Sequence, residues 1–114
     1  MGLSHPLPDE LVELIAERFR ALSEPTRIKL LDRLREGEAT VLDLTEAIGT
    51  TQQNVSKHLR ILHRAGVVAR RRQVNFVYYS ILDAGVFELC DAVCGSLQEQ
   101  VESIRRVVAG ARAG

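Results

Sequence analysis

The sequence predicts a mainly α-helical chain with one small β-hairpin, in the order α-α-α-α-β-β-α. Three observations predict it. Apolar residues recur every three or four positions in five separate segments. Two of those segments are parted only by the tight turn Gly49-Thr50-Thr51. Directly after them come two short runs rich in Val, Phe and Tyr, joined by a polar connection.

The first helix, over about 8–22, opens at Pro8 with Asp9 and Glu10 in its first turn, where the helix dipole favours acids. Leu11, Leu14, Ile15, Phe19 and Leu22 follow at helical spacing. Ser23 offers a cap for a second helix and Pro25 suits its first turn. Ile28, Leu31 and Leu34 make its inner stripe, and Gly37 is its expected stop. Thr40 with Asp43 three residues later is a capping-box signature. It opens a short third helix with Val41, Leu44 and Ile48 on one face, ended by Gly49. Thr51 caps a fourth helix running to about Ala65, whose inner face is Val55, Leu59 and Leu62. Two helices so closely joined, over about 40–65, make a helix-turn-helix. Gly66 closes the fourth helix, and strands follow over 67–71 and 76–81 with a connection at 72–75. A hairpin in that place, about 67–81, is a wing, so the architecture is a winged helix-turn-helix. Asp83 opens a last helix over about 83–108, and the small residues of 109–114 read as a disordered tail.

The chain has 114 residues, enough for one domain, here 8–108. It is 46% hydrophobic and only 4% aromatic, which points to an aliphatic core. No apolar run approaches the roughly 18 residues of a membrane span. The N-terminus lacks the basic start and apolar stretch of a signal peptide. A cytoplasmic address with no membrane partner is therefore expected. Two cysteines are too few for a disulfide scaffold.

Formal net charge is zero, yet the charges are segregated. Residues 47–82 hold no Asp or Glu, and they carry Lys57, Arg60, Arg64, Arg70, Arg71 and Arg72 with His58 and His63. Such a patch on a neutral body suits a polyanion. An α-helix fits the major groove of double-stranded DNA, and the N-terminal residues of a recognition helix meet base edges. Gln52, Gln53, Ser56 and Lys57 are the base-reading candidates, because Gln pairs bidentately with adenine and Lys with guanine. Arg60 and Arg64 lie further along and suit phosphate, which gives affinity without sequence information. Arg70, Arg71 and Arg72, with no acid near them in the sequence, suit the DNA backbone or minor groove. The plainer alternatives are a solvated helix face and a charged edge strand that discourages aggregation. His58 sits beside the buried face, as a hydrogen-bonded boundary residue. His58 and His63 are five apart, so they do not share the i, i+4 face of a helical zinc site.

The segments Leu22-Ser-Glu-Pro-Thr-Arg-Ile-Lys-Leu-Leu, Gln52-Gln-Asn-Val-Ser-Lys-His-Leu, Leu62-His-Arg-Ala-Gly-Val-Val and Val77-Tyr-Tyr together resemble the ArsR/SmtB family of bacterial repressors, over about residues 11–101. The resemblance implies a homodimer built from the first and last helices. It implies an imperfect palindromic operator near a promoter, and release when an inducer binds. Many members sense metals, metalloids or redox state. Two family features are missing. The stretch Val41-Leu-Asp-Leu-Thr-Glu-Ala has no cysteine, and no histidine follows Asp83 in the last helix. The wing connection also lacks the glycine common in relatives. Val74 stands there, with Asn75 the residue best suited to a left-handed conformation.

In the last helix Val86, Cys90, Val93, Leu97, Val101, Ile104 and Val108 form a long apolar seam. A seam this long meets a partner helix, most commonly in a C₂ dimer. The expected dimer contacts are Leu11, Leu14 and Ile15 with Val86, Cys90, Val93, Leu97 and Val101. Cys90 and Cys94 leave two readings. They are buried small apolar side chains, or a thiol sensor. Residues at i and i+4 are roughly 5–6 Å apart at Cβ, too far for an unstrained disulfide. Two thiolates there suit a soft ion such as As(III), Cu(I) or Zn²⁺.

Two other function classes compete. The same dimer can take a small-molecule or partner-protein trigger, or the winged helix can be a protein-interaction module, although such a face has little reason to exclude acids over about 36 residues. No nucleophile elbow, phosphate loop or zinc-protease motif appears, so an enzyme is not expected.

Overall fold

The computed structural model describes residues 2–113; Met1 and Gly114 lie outside the described residues. Its elements are α1 (Asp9–Leu22), α2 (Pro25–Leu34), β1 (Ala39–Thr40), α3 (Val41–Ile48), α4 (Gln52–Arg64), β2 (Val68–Gln73), β3 (Phe76–Ile81) and α5 (Gly85–Ala113). The chain forms two compact units, one through Asp83 and one from Ala84. No described helix is long and apolar enough to cross a membrane.

In the first unit the core is aliphatic. Leu30, Leu31 and Leu34 of α2, Leu44 of α3, and Val55, Leu59 and Leu62 of α4 are buried with Val67, Val68 and Tyr79. Local chemistry sets the helix ends. Pro25 is in the first turn of α2, and the Glu24 carboxylate accepts from the Arg27 backbone N–H at 3.1 Å. Glu24, rather than Ser23, is thus the cap. Ser23 instead closes α1, its hydroxyl donating to the Arg20 carbonyl at 2.9 Å. The Thr40–Asp43 capping box is reciprocal, each backbone N–H donating to the other's side chain at 3.1 Å. Gly49, at φ 79°, ends α3 in the left-handed region, and Thr51 restarts the chain as the α4 cap. Ile28, expected on the inner stripe of α2, is 46% exposed, and Leu30 is buried in its place. A ten-residue helix packed against α1, α3 and α4 buries a broad face, and a single stripe at 3–4 spacing misses that.

The strands form a three-stranded antiparallel sheet in the order β1-β3-β2. β1, absent from the sequence reading, pairs Ala39 with Tyr79 and Thr40 with Tyr78. The hairpin is longer and its turn tighter than expected, with Gln73 opposite Phe76. Only Val74 and Asn75 lie between them. Val74, not Asn75, takes the positive φ, at 55°. A β-branched residue is poorly suited to that region, and Val74 is 84% exposed, so it gains no burial in return. Val74→Gly is therefore expected to raise stability by about 1 kcal/mol, the relief of strain exceeding glycine's added chain entropy. A lower urea midpoint at unchanged m-value would contradict this.

In the second unit α5 starts at Gly85, not Asp83. Asp83 belongs to the first unit, where it forms an ion pair with Arg18 of α1. The helix also continues past Val108 through Ala113, where the sequence reading placed a disordered tail over 109–114. Ala109, Ala111 and Ala113 are the strongest helix formers available and carry it on. Val86 is buried, at 2% exposure, whereas Val93, Leu97, Val101, Ile104 and Val108 are exposed.

Candidate nucleic-acid interface

The site is built outward from α4. Its buried face is Val55, His58, Leu59 and Leu62. A helix turns about 100° per residue, so Gln53, Ser56, Lys57, Arg60 and Arg64 fall on the opposite side within an arc of about 100°. Gln52 lies about 40° outside that arc, on the side of Leu59. All of these side chains are exposed except Ser56, which is half-buried. Asn54 is turned to structural use, since its amide donates to the Thr50 hydroxyl at 3.2 Å. The Thr51 hydroxyl accepts from the Asn54 backbone N–H at 3.1 Å, fixing the first turn of α4.

His58 ties the back of this helix to two others. Its Nδ1 lies 3.1 Å from Arg27 Nη1, and its Nε2 lies 3.6 Å from the Glu24 carboxylate. Burial pushes its pKa below the ordinary 6.5; Glu24 opposes this, and the charges of Arg27 and Lys57 add to it. The boundary role expected from sequence is thus a buried one, with named partners.

The wing presents its three arginines unequally. Arg71 lies opposite Tyr78 across the strands, its guanidinium 4.5 Å from the ring centroid. It makes a bidentate pair with Glu38 at 2.9 and 2.5 Å and donates to the Gln73 side chain at 2.6 Å. The hydrogen bond from Arg71 holds the Glu38 carboxyl below the usual carboxylate range. The sequence showed no acid near these arginines, because Glu38 is 33 positions away. Arg70 and Arg72, one residue to either side, are exposed on the other side of the strand. Among the described residues neither forms a salt bridge, nor do Lys57, Arg60 or Arg64. The structure therefore brings together the polar arc of α4 and the wing within one unit, and it occupies Arg71.

The other sequence candidates lie elsewhere. Leu11 and Ile15 of α1 are half-buried and Leu14 is exposed. Cys90 is half-buried and Cys94 is exposed, and neither is in a disulfide. The reading of two buried apolar side chains therefore does not describe Cys94 in the single chain. Among the described residues no three His, Cys, Asp or Glu side chains gather as metal ligands. One chain's two sulfurs fall short of the four ligands of a structural zinc site, and Asp83 is taken by Arg18.

Comparison with known proteins agrees with the fold. A family model described as a helix-turn-helix domain matches residues 22–71. The chain is 39% identical over 88 residues to the HTH-type transcriptional regulator NmtR of Mycobacterium tuberculosis, covering 77% of this chain and 73% of that one. It is 40% identical over 78 residues to the HTH-type transcriptional repressor SmtB of the same organism, covering 68% of this chain and 58% of that one. In three dimensions it is similar to the homodimeric winged helix-turn-helix DNA-binding domain Mb0332 of Mycobacterium bovis, a possible ArsR-family transcriptional regulator. The TM-score is 0.72 at 28% identity, covering 87% of this chain and 92% of that one.

Proposed function

The chain belongs to the ArsR/SmtB family of winged helix-turn-helix transcriptional regulators, and from that premise we propose that it is a homodimeric repressor that leaves an imperfect palindromic operator when an inducer binds. One observation carries the DNA reading. The outward arc of α4 presents amides and cations without an acid, beside a wing whose Arg70 and Arg72 have no acidic partner.

The roles sort by position. Gln52, Gln53, Ser56 and Lys57 open α4 and read base edges. Arg60 and Arg64, with Arg70 and Arg72 of the wing, contact phosphate. Arg71 braces the wing through Glu38. The partner chain covers the exposed apolar residues of α1 and α5, including Leu14, Val93, Leu97 and Val101; the Mycobacterium bovis relative is homodimeric. For the trigger, the exposure of Cys94 supports a thiol sensor that takes As(III), Cu(I) or Zn²⁺ together with the second chain's cysteines, or that is oxidised. The second reading is a small molecule or partner protein. Replacing both cysteines by Ser abolishes induced release from DNA in the first reading and leaves release by the native inducer intact in the second.

The DNA roles are tested by anisotropy on a duplex selected from random sequence and on a scrambled control. Gln53→Ala or Lys57→Ala is expected to reduce the preference between the two by about 1–3 kcal/mol. Arg72→Ala is expected to weaken both alike and to lower the salt slope by about one phosphate. A wing substitution that changed the preference would overturn this sorting. A flat salt response of the native protein would favour a protein-interaction module instead.

A further inference from the structure

The DNA reading leaves one half-buried polar cluster, centred on the buried His58, unexplained. α1 ends at Leu22, and its last carbonyls lack helical partners. Ser23 meets the Arg20 carbonyl, and Arg27, from the first turn of α2, adds further donors. Its Nε donates to the Ala21 carbonyl at 2.6 Å and its Nη2 to the Arg20 carbonyl at 3.2 Å. The remaining arm of the same guanidinium, Nη1, reaches His58 Nδ1 at 3.1 Å. On the other side of the ring, Nε2 faces the Glu24 oxygen that also caps α2. One arginine and one glutamate, three residues apart, thus join the end of α1 and the start of α2 to the back of the recognition helix.

The geometry fixes the protonation state. A guanidinium only donates, so His58 Nδ1 must accept and its ring proton sits on Nε2, toward Glu24. The ring is therefore neutral. A second proton would sit on Nδ1, directly against the Arg27 N–H and its charge. Resting on the DNA-binding reading, we propose that Glu24 and Arg27 are positioning residues that hold the recognition helix in its DNA-competent placement through a neutral His58, and that protonation of His58 in mild acid loosens that hold and releases DNA.

The charged groups acting on the ring are divided, and burial tips the balance to the neutral form. From α2 these are Glu24, which favours the protonated ring, and Arg27, which opposes it; from α4 there is Lys57, also opposed. α1 contributes only the carbonyls that anchor Arg27, and no group of α3 or β2 is among the charges acting on the ring. His58 is 5% exposed, so water cannot readily replace the lost Arg27 bond. Because the folded pKa lies below the 6.5 of the free side chain, the unfolded chain takes up the proton first. The cluster's contribution to stability is complete above 6.5 and falls as pH drops below it toward the lowered value.

The test uses the full-length protein and the selected duplex, in a His63→Gln background that removes the exposed histidine of the same helix. From about pH 7.5 to about pH 5.5, affinity is expected to fall about tenfold, the size of one lost charge-assisted hydrogen bond. His58→Asn keeps an acceptor near Nδ1 and cannot titrate, so it is expected to flatten the pH profile, whatever its absolute affinity. Nitrogen-15 shifts of the native histidine provide a readout that no variant's folding can disturb, with Nδ1 expected as the unprotonated nitrogen. A proton on Nδ1 at neutral pH, a flat profile in the parent, or an unchanged profile in His58→Asn would each overturn the proposal. Failure to bind any duplex near pH 7.5 would instead reject the DNA-binding reading itself.

Discussion

Leu97→Glu is expected to make the protein monomeric and to weaken its binding to a two-half-site duplex by a factor of about a hundred or more. Leu97 is 54% exposed in the single chain, and Val93 and Val101 flank it at helical spacing. A partner helix would cover all three. A carboxylate placed there must then be buried without a counter-charge or keep the helices apart, and separation costs less. Each freed chain holds one recognition helix, so it loses the second, tethered binding event that a dimer gains. The first unit does not contain Leu97, so the helix-turn-helix should remain folded. Sedimentation gives the mass, circular dichroism the fold, and anisotropy the affinity. A variant that stays dimeric with native affinity would show that the partner is not seated on this stretch of α5.

The largest expected stability effect is that of Leu59→Ala. Leu59 is fully buried on α4 between Val55 and Leu62, which are also fully buried. Truncation removes three carbons and leaves a cavity in a packed core, at a cost of about 2–5 kcal/mol. That is a large fraction of the roughly 5–15 kcal/mol that holds a typical domain folded. Arg60→Ala, one residue along, is expected to change stability by no more than about 0.5 kcal/mol while lowering DNA affinity. The contrast separates the two sides of one helix. A cost below about 1 kcal/mol for Leu59→Ala in urea would contradict its place in the core.

The parts of this molecule that were legible in the sequence are those determined by near neighbours. The Thr40–Asp43 box, the Gly49 stop and the Val55–Leu59–Leu62 face are each set within a few residues, and the structure has all three. The polar arc of α4 was legible for the same reason, since it is what remains once the buried face is known. What escaped depends on distant segments. β1 is two residues long, too short for any alternation to show, and exists because β3 lies beside it. The Glu38–Arg71 pair spans 33 positions and the Arg27–His58 contact 31. For α2 the preference for hydroxyls at a helix start pointed to Ser23, and the structure uses the next residue, Glu24. At the wing turn, propensity favoured Asn75 for the left-handed conformation. The two-residue connection instead imposes it on Val74, the first residue of the turn.

Thr40 occupies two structures at once. Its backbone lies against Tyr78 in the sheet, and its side chain begins α3. Two residues earlier Glu38 grips Arg71, which rests on the ring of that same Tyr78. Together these contacts close a circuit that ties the wing to the start of α3. On the proposed DNA reading, the spacing between α4 and the strand tips would then be preset, like the jaws of a caliper. Duplexes whose groove spacing matches the jaws would be engaged without distortion. Others must be bent or squeezed to fit, at a cost that depends on their own stiffness. If the proposed DNA reading holds, the protein would thereby select DNA by its shape at positions that no side chain touches.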